Sequence, residues 1–530
     1  MTKKQVEKNI ISGNPKVDAV YHNLEWVVTA LAGTLVFIVF VMQVYRIPTG
    51  SMAETLRGSH FRLRCEQCGH RYDYEFYPRA FGLGENIVPR QNLPIIPAEP
   101  RCPSCGHYED TGLRSKIDGR IYTSEGKPGP TRAVSRGDQI FVLKCIYQFF
   151  EPKRWDVVVF KNPVEPAINY IKRLIALPGE KVEIIDGDVY INDEIARKPR
   201  HVQDEMWMCV YDNDYQPARP GQARFNRHVW KQPFENVDGA AWMLNADGPA
   251  VFSLDGGSQD SIQELRYNPA IGNDFRATYA YDASKGYEGL PICSDLMLRY
   301  YVKMKSDSGA GVKLSKYGIS YESMVTDAGT MQICRFDNGN RKVLVEGFIS
   351  EADKVGVQLL QFANVDHRLV FDYGQSKLEY DLGADKFGAG MDRLSLPGAA
   401  IAGYGKLQIR HIQLMRDIHY ISEPTYLTNP KYGVMRAFEG SPLELRSDEF
   451  FVCGDNSPNS YDARLWREPT KANPGQSYRQ GIVPRDYLVG KAFFIHFPGN
   501  WRFEKESWRK IPYLDGAPEP DGIKIIYGGH

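Results

Sequence analysis

The chain has 530 residues, and its 65 lysines and arginines balance 65 aspartates and glutamates for a formal net charge of zero. That length exceeds what one hydrophobic core organises, so several domains are expected, and the neutral balance without a long basic block excludes the electrostatic footprint of a nucleic-acid binder. With 31 tyrosines, 48 glycines and 33 prolines, strands and turns are favoured over helices.

The first element is an uncharged apolar run from Trp26 to Val44. As a helix this run reaches roughly 28 Å, about the hydrocarbon thickness of a bilayer. Val44-Tyr45-Arg46 offers no small-x-small cleavage site, so the run reads as a retained anchor. Charge gives little help with orientation. Lys3, Lys4, Lys8 and Lys16 precede the run, offset by Glu7, Asp18 and Glu25. Arg46, Arg57, Arg62 and Arg64 follow it against Glu54, a count slightly opposed to an outside C-terminal body. Ile47-Pro48-Thr49-Gly50-Ser51-Met52 comes next. Ser51 is thus expected within a few residues of a membrane surface, in a segment able to present its hydroxyl. A plain linker serine is the other reading.

Two knuckles follow, Cys65-Glu66-Gln67-Cys68-Gly69 and Cys102-Pro103-Ser104-Cys105-Gly106. Each Cys-x-x-Cys turn aims two thiolates at one point and its glycine permits the closing left-handed turn, the signature of a zinc ribbon. Disulfides are the alternative if the segment meets an oxidising compartment. From Arg132 to Lys198, short apolar runs such as Gln139 to Leu143, Val157 to Phe160, Tyr170 to Leu177 and Asp188 to Asn192 predict a compact β domain. Within it Lys172 stands among apolar neighbours. Loss of hydration there lowers a lysine pKa and lets a neutral amine take a proton from a hydroxyl. The other reading is a strand lysine whose amine snorkels to water.

From about Met206 to Ile421 the composition turns to tyrosine, glycine and aspartate with many period-2 segments, predicting an inserted β-sandwich. Gly454 to Arg464 is rich in turn formers after the apolar Phe450-Phe451-Val452. It reads as a tight loop braced by Asp462 and Arg464, with Ser460 offering a hydroxyl that could orient a lysine amine. Trp501 and Trp508, among Arg502, Lys505, Arg509 and Lys510, suit a membrane interface and equally an ordinary surface.

Taken together, Ile47 to Met52 with Leu56, Arg136-Gly137-Asp138, Tyr170 to Arg173 with Leu177 to Glu180, and Gly454 to Asn456 through Ser460, Asp462 and Arg464 resemble type I signal peptidase, a membrane-anchored Ser/Lys protease. Trp155 departs from that pattern, where the family usually has glycine. The resemblance implies Ser51 as nucleophile, Lys172 as general base, Ser460 as the residue orienting the lysine, and Thr49 with the Ser51 N–H as oxyanion donors. It implies no cofactor for catalysis, preprotein signal peptides and a lipid bilayer as partners, and a single-pass protein of the cytoplasmic membrane with an extracytoplasmic catalytic domain.

The expected fold is mainly β. It comprises a cytoplasmic segment 1–23, an anchor 24–45 and a catalytic domain from 46–64, 109–205 and 440–530. A zinc-ribbon-like insert over 65–108, with Cys65, Cys68, Cys102 and Cys105 holding a structural zinc, interrupts it, as does a sandwich insert over 206–425. The insert's closing strands, Leu407 to Tyr420, loosely resemble a concanavalin-like jelly roll, which implies a glycan or protein partner. The competing functional reading is an anchored glycan- or protein-binding module with a degenerate protease domain.

Overall fold

The computed structural model describes residues 15–84, 87–96, 100–117, 119–217, 220, 224–225, 228–245, 248, 250–282, 289–337, 339–384, 392–422, 435–471, 477–497 and 524–526. The tryptophans at 501 and 508, with the basic residues around them, lie outside this set, as do the first fourteen residues. The fold is mainly β, with one long apolar helix at the N-terminal end.

That helix runs Pro15–Val36 and continues as a π-helical turn over Phe37–Val41. Ala19–Val41 is long and apolar enough to cross a membrane, and its most apolar stretch has no buried residue among the described residues. The apolar run ends in sequence at Val44, but the helix stops earlier. Met42–Arg46 is instead an edge strand paired antiparallel with Gln139–Leu143, because those two segments satisfy each other's backbone groups in register. The Lys144 N–H donates to the Val41 carbonyl at 2.9 Å, tying the helix end to the sheet.

The sheet that carries the site runs Met42–Arg46, Gln139–Leu143, Leu488–Phe497, Val157–Lys161, Asn169–Ala176, Glu449–Cys453 and Val483–Pro484 in spatial order. Its strands come from both ends of the chain, and Val158, Phe160, Leu174, Phe450 and Val452 pack beneath it in one core. A second sheet of Glu194–Ile195, Asp188–Ile191, Lys181–Ile185 and Leu443–Glu444 adjoins it.

The segment between these strands builds a 14-stranded antiparallel sheet around a separate core that includes Leu298, Val312, Ile401 and Leu414. Its organiser is the 19-residue strand Gly398–Arg416. The first part of that strand pairs with Gly309–Lys316 and Gln263–Tyr267, and the later part with Leu296–Met304 and Phe252–Gly256. Between the two sets of partners lies Gly405 at φ 78, where a Cβ would collide with the Asp307 carbonyl; glycine alone makes that bend without strain. Buried Lys198 bridges Asp366 at 2.5 Å and Asp417 at 2.8 Å, while Lys316 bridges Asp295 and Asp188, fastening this sheet to the Asp188–Ile191 hairpin.

Candidate active site

Ser51 sits just beyond the edge strand, in a loop whose next residues, Met52 and Ala53, are fully buried and anchor it. Lys172 lies in Asn169–Ala176 and is 5 % exposed. Its Nζ is 2.6 Å from Ser51 Oγ, to which it donates a hydrogen bond across 121 residues of sequence. Burial pushes the Lys172 amine down to about 8, against the opposing pull of Asp462 and Asp455. A lysine at that value has an appreciable neutral fraction near neutral pH, and the neutral amine accepts a proton instead of donating one.

The loop after Glu449–Cys453 forms the other wall. Gly454 touches both serines: a Cβ there would overlap Ser460 Oγ and the Ser51 carbonyl oxygen. Ser460 is buried, and its Oγ makes no hydrogen bond among the described residues. Asp462 accepts from the Gly454 N–H at 2.9 Å and pairs with Arg464 at 2.7 Å, both side chains fully buried. Asp455 is gripped by Arg173 at 2.9 and 2.6 Å, which locks the residue after Lys172 to the loop beside it. Thr49 is exposed at the rim. Neither its hydroxyl nor the Ser51 N–H is engaged in a hydrogen bond among the described residues.

Two groups of residues were not legible as site residues. Glu75, at the end of the knuckle strand Arg71–Glu75, accepts the Gly50 N–H at 2.7 Å and the Asn459 side-chain amide at 2.8 Å. Asn456 donates to the Gly50 carbonyl at 3.1 Å and to Asp282 at 2.8 Å. The ring of Tyr281 occupies the space a Cβ at Gly50 would need. The residue before Ser51 is therefore clamped from three directions, two of them supplied by segments read as inserts. Glu75 and Asp282 carry no local signal, since nothing near them in sequence marks a partner 25 or 174 residues away.

The four knuckle cysteines also meet. Cys65 Sγ lies 3.6 Å from Cys105 Sγ, and Cys68 Sγ 3.7 Å from Cys102 Sγ. All nine cysteines are free. The knuckles are built alike: the Cys65 N–H donates to the His70 carbonyl and the Cys102 N–H to that of His107, both at 2.8 Å, with Gly69 and Gly106 at φ 79 and 72. A tetrahedron with metal–sulfur distances near 2.3 Å has edges of about 3.8 Å, so this spacing fits a four-thiolate zinc site. A second group, Asp188, Asp295 and Asp366, is close-set too, but Lys198 and Lys316 already occupy the place of a cation there.

A sequence model of the family described as "Signal peptidase, peptidase S26" matches residues 127–235 and 408–497, segments that hold Lys172 and Ser460 but not Ser51. "Signal peptidase I" of Rickettsia typhi is 54 % identical over 44 residues, 8 % of this chain and 17 % of the relative. The Rickettsia massiliae protein of the same name matches to the same extent over 16 % of its length. The matched stretch thus spans about a sixth of these relatives. Among solved structures, the CBM2 module of an evolved Dit protein of Lactobacillus casei BL23 phage J-1 covers 40 % of this chain and 96 % of its own, at 9 % identity and a TM-score of 0.22. The Bacillus licheniformis beta-glucanase covers 37 % and 96 %, at 8 % identity and a TM-score of 0.21.

Proposed function

We propose that this chain, which belongs to the signal peptidase S26 family, is a membrane-anchored serine endopeptidase that removes signal peptides from exported preproteins. The observation that carries the reading is the 2.6 Å approach of a buried, pKa-depressed Lys172 to the Ser51 hydroxyl.

In the reactive state Lys172 is neutral and Ser51 O–H donates to Nζ. Ser51 Oγ attacks the scissile carbonyl as Lys172 takes the proton, and the Ser51 N–H with the Thr49 hydroxyl receives the oxyanion. Lys172 then protonates the leaving amine, the mature chain departs, and an acyl-Ser51 ester remains. Neutral Lys172 next takes a proton from water, the hydroxide attacks the ester, and Ser51 regains its proton. Ser460, whose buried hydroxyl shares with the Ser51 carbonyl the space that a Cβ at Gly454 would fill, is the residue assigned to orient the amine. The apolar helix, within which Ala19–Val41 is long enough to span a bilayer, anchors the enzyme as the 24–45 segment, with the catalytic domain on the extracytoplasmic face. Substrates are preproteins with small residues at the first and third positions before the cut.

The catalytic domain is assigned to 46–64, 109–205 and 440–530, with 65–108 and 206–425 as inserts. Cys65, Cys68, Cys102 and Cys105 are assigned to a structural zinc that serves the fold and no chemical step. The decisive test is cleavage of a preprotein with an Ala-x-Ala site by the full-length protein in detergent. Wild-type cleavage that both Ser51→Ala and Lys172→Met abolish supports the dyad. Full-rate cleavage by Lys172→Met would sink it.

A further inference from the structure

A cleft of about 330 Å³ opens next to the nucleophile loop, between the knuckle segment and the large sheet. Glu54 and Arg57, shortly after Ser51, form one wall, and Thr278 to Asp282 form another. It is continuous with the site, because Asp282 holds Asn456 and the Tyr281 ring lies on Gly50.

Its charge is one-sided. Six arginines line it: Arg57, Arg62, Arg71, Arg101, Arg276 and Arg416. The acidic lining consists of Glu54, Asp73, Asp274 and Asp282. Asp73 is shared by Arg57 at 3.0 Å and Arg62 at 3.2 Å, and Asp274 pairs with Arg276 at 2.9 Å. Burial pushes Asp282 up to about 8, so it is largely uncharged at neutral pH. Arg416 is the most telling member. It is 2 % exposed, its guanidinium donates to the carbonyls of Asp417 and Thr278 and lies over the Tyr279 ring, and among the described residues it has no ion-pair partner. Arg71 is exposed and likewise without an ion-pair partner among the described residues. The Glu54 carboxylate favours the Arg416 cation without a salt bridge to it, and with six arginines against four acidic residues in the lining an entering anion meets a surplus of positive charge.

We infer that this cleft binds an acidic stretch of the substrate on the carboxyl side of the scissile bond, making the enzyme selective for exported chains whose mature portion begins with aspartate or glutamate. The inference rests on the peptidase reading above. Polarity chooses the side: the signal peptide is apolar and belongs with the bilayer, whereas the mature segment is hydrated and can carry the complementary charge. Both the knuckle segment and the large insert then act in substrate selection, through Arg71 at one wall and Arg276 and Arg416 at the other.

The test uses full-length protein in detergent and two preproteins identical through the cleavage site, one continuing with Asp and Glu, the other with Ser and Gln. The acidic substrate is expected to have a kcat/KM about tenfold higher at low salt, expressed in KM, and to lose that advantage near 1 M salt, where the screening length is about 3 Å. Arg71→Glu, alone and with Arg276→Glu, is expected to bring the ratio of the two kcat/KM values to about one or to invert it. Equal kcat/KM values in the unsubstituted protein, or a ratio indifferent to both variants, overturn the inference and leave the peptidase reading standing. If neither preprotein is cut, the peptidase reading fails instead. The cleft is then judged by fluorescence anisotropy of the acidic segment alone: binding that Arg71→Glu removes retains it as an acidic-peptide site. No binding, or binding confined to phosphatidylglycerol micelles, overturns it.

Discussion

Lys172 shows how one residue links stability to chemistry. Its folded pKa of about 8 lies below the usual lysine value because burial strips water from the ammonium. The proposed base works deprotonated, so kcat/KM for a preprotein should climb about tenfold per pH unit below 8 and level off above it. A profile still rising steeply through pH 10 would contradict that assignment. The same depression has a thermodynamic sign. Between about pH 8 and 10.5 the unfolded chain holds the proton that the folded one has lost, so stability rises with pH across that window. At neutral pH the buried charge is a burden, and Lys172→Met should raise unfolding free energy by on the order of 1–3 kcal/mol while abolishing cleavage. Urea unfolding at pH 7 measures it; a loss of stability would mean that the lysine contributes favourable packing or pairing outweighing its desolvation. Lysine among apolar strand residues was a readable signal, whereas its distance from Ser51 was not, because 121 residues separate them.

At the scale of elements, the nucleophile loop is held by its neighbours more than by itself. Glu75 and Asn456 fix the Gly50 peptide, and Gly454 leaves just enough room for Ser460 and the Ser51 carbonyl. Removing a hydrogen bond that positions a reacting group lowers kcat more than it raises KM. Glu75→Ala is therefore expected to reduce kcat by about tenfold or more with KM little changed. Gly454→Ala inserts a methyl group where two oxygens lie and should cost at least about a hundredfold, with the fold retained by circular dichroism. A fully active Gly454→Ala enzyme would mean that the loop yields freely.

The strands of this region were largely legible. Alternation in Gln139–Leu143 and the apolar run at Val157–Lys161 mark strands directly, and both are strands here. The end of the apolar helix was not legible. Met42–Arg46 is as compatible with helix as with strand in isolation, and only its pairing with Gln139–Leu143 decides. The clamp was only partly visible for a related reason: Asn456 lies in the turn-rich loop that the sequence marks, but Glu75 and Tyr281 come from the knuckle strand and the large sheet's flank, where sequence shows composition but no partner.

For the molecule as a whole, the knuckles and the site are mechanically one unit, since Glu75 ends the strand that follows the first cysteine pair. Chelation of the proposed zinc, or Cys68→Ser, should therefore reduce cleavage, and added zinc should restore it in the chelated wild type. Metal content measured beside activity checks this, and full activity in metal-free protein would refute it. The end beside the apolar helix has its own signature. Lys144 Nζ donates to the Val39 carbonyl at 2.8 Å, and a few residues on, Phe149 and Phe150 are 74 % and 66 % exposed. Aromatic side chains so near a helix end suit the headgroup region. A tryptophan placed at Phe149 in proteoliposomes should be quenched by brominated lipid; unquenched emission would set this edge away from the bilayer.

The hydrogen bond from Asn456 to the Gly50 carbonyl joins residues 406 positions apart. At ribosomal rates of about 5–20 residues per second, the proposed nucleophile waits on the order of 20–80 s before the loop that completes it has been synthesised. If the proposed function holds, a nascent chain is thus inert through the interval in which its own apolar helix is the nearest potential substrate. On the proposed reading the interleaving of distant segments acts as a built-in delay, and competence waits until synthesis has passed Asn456.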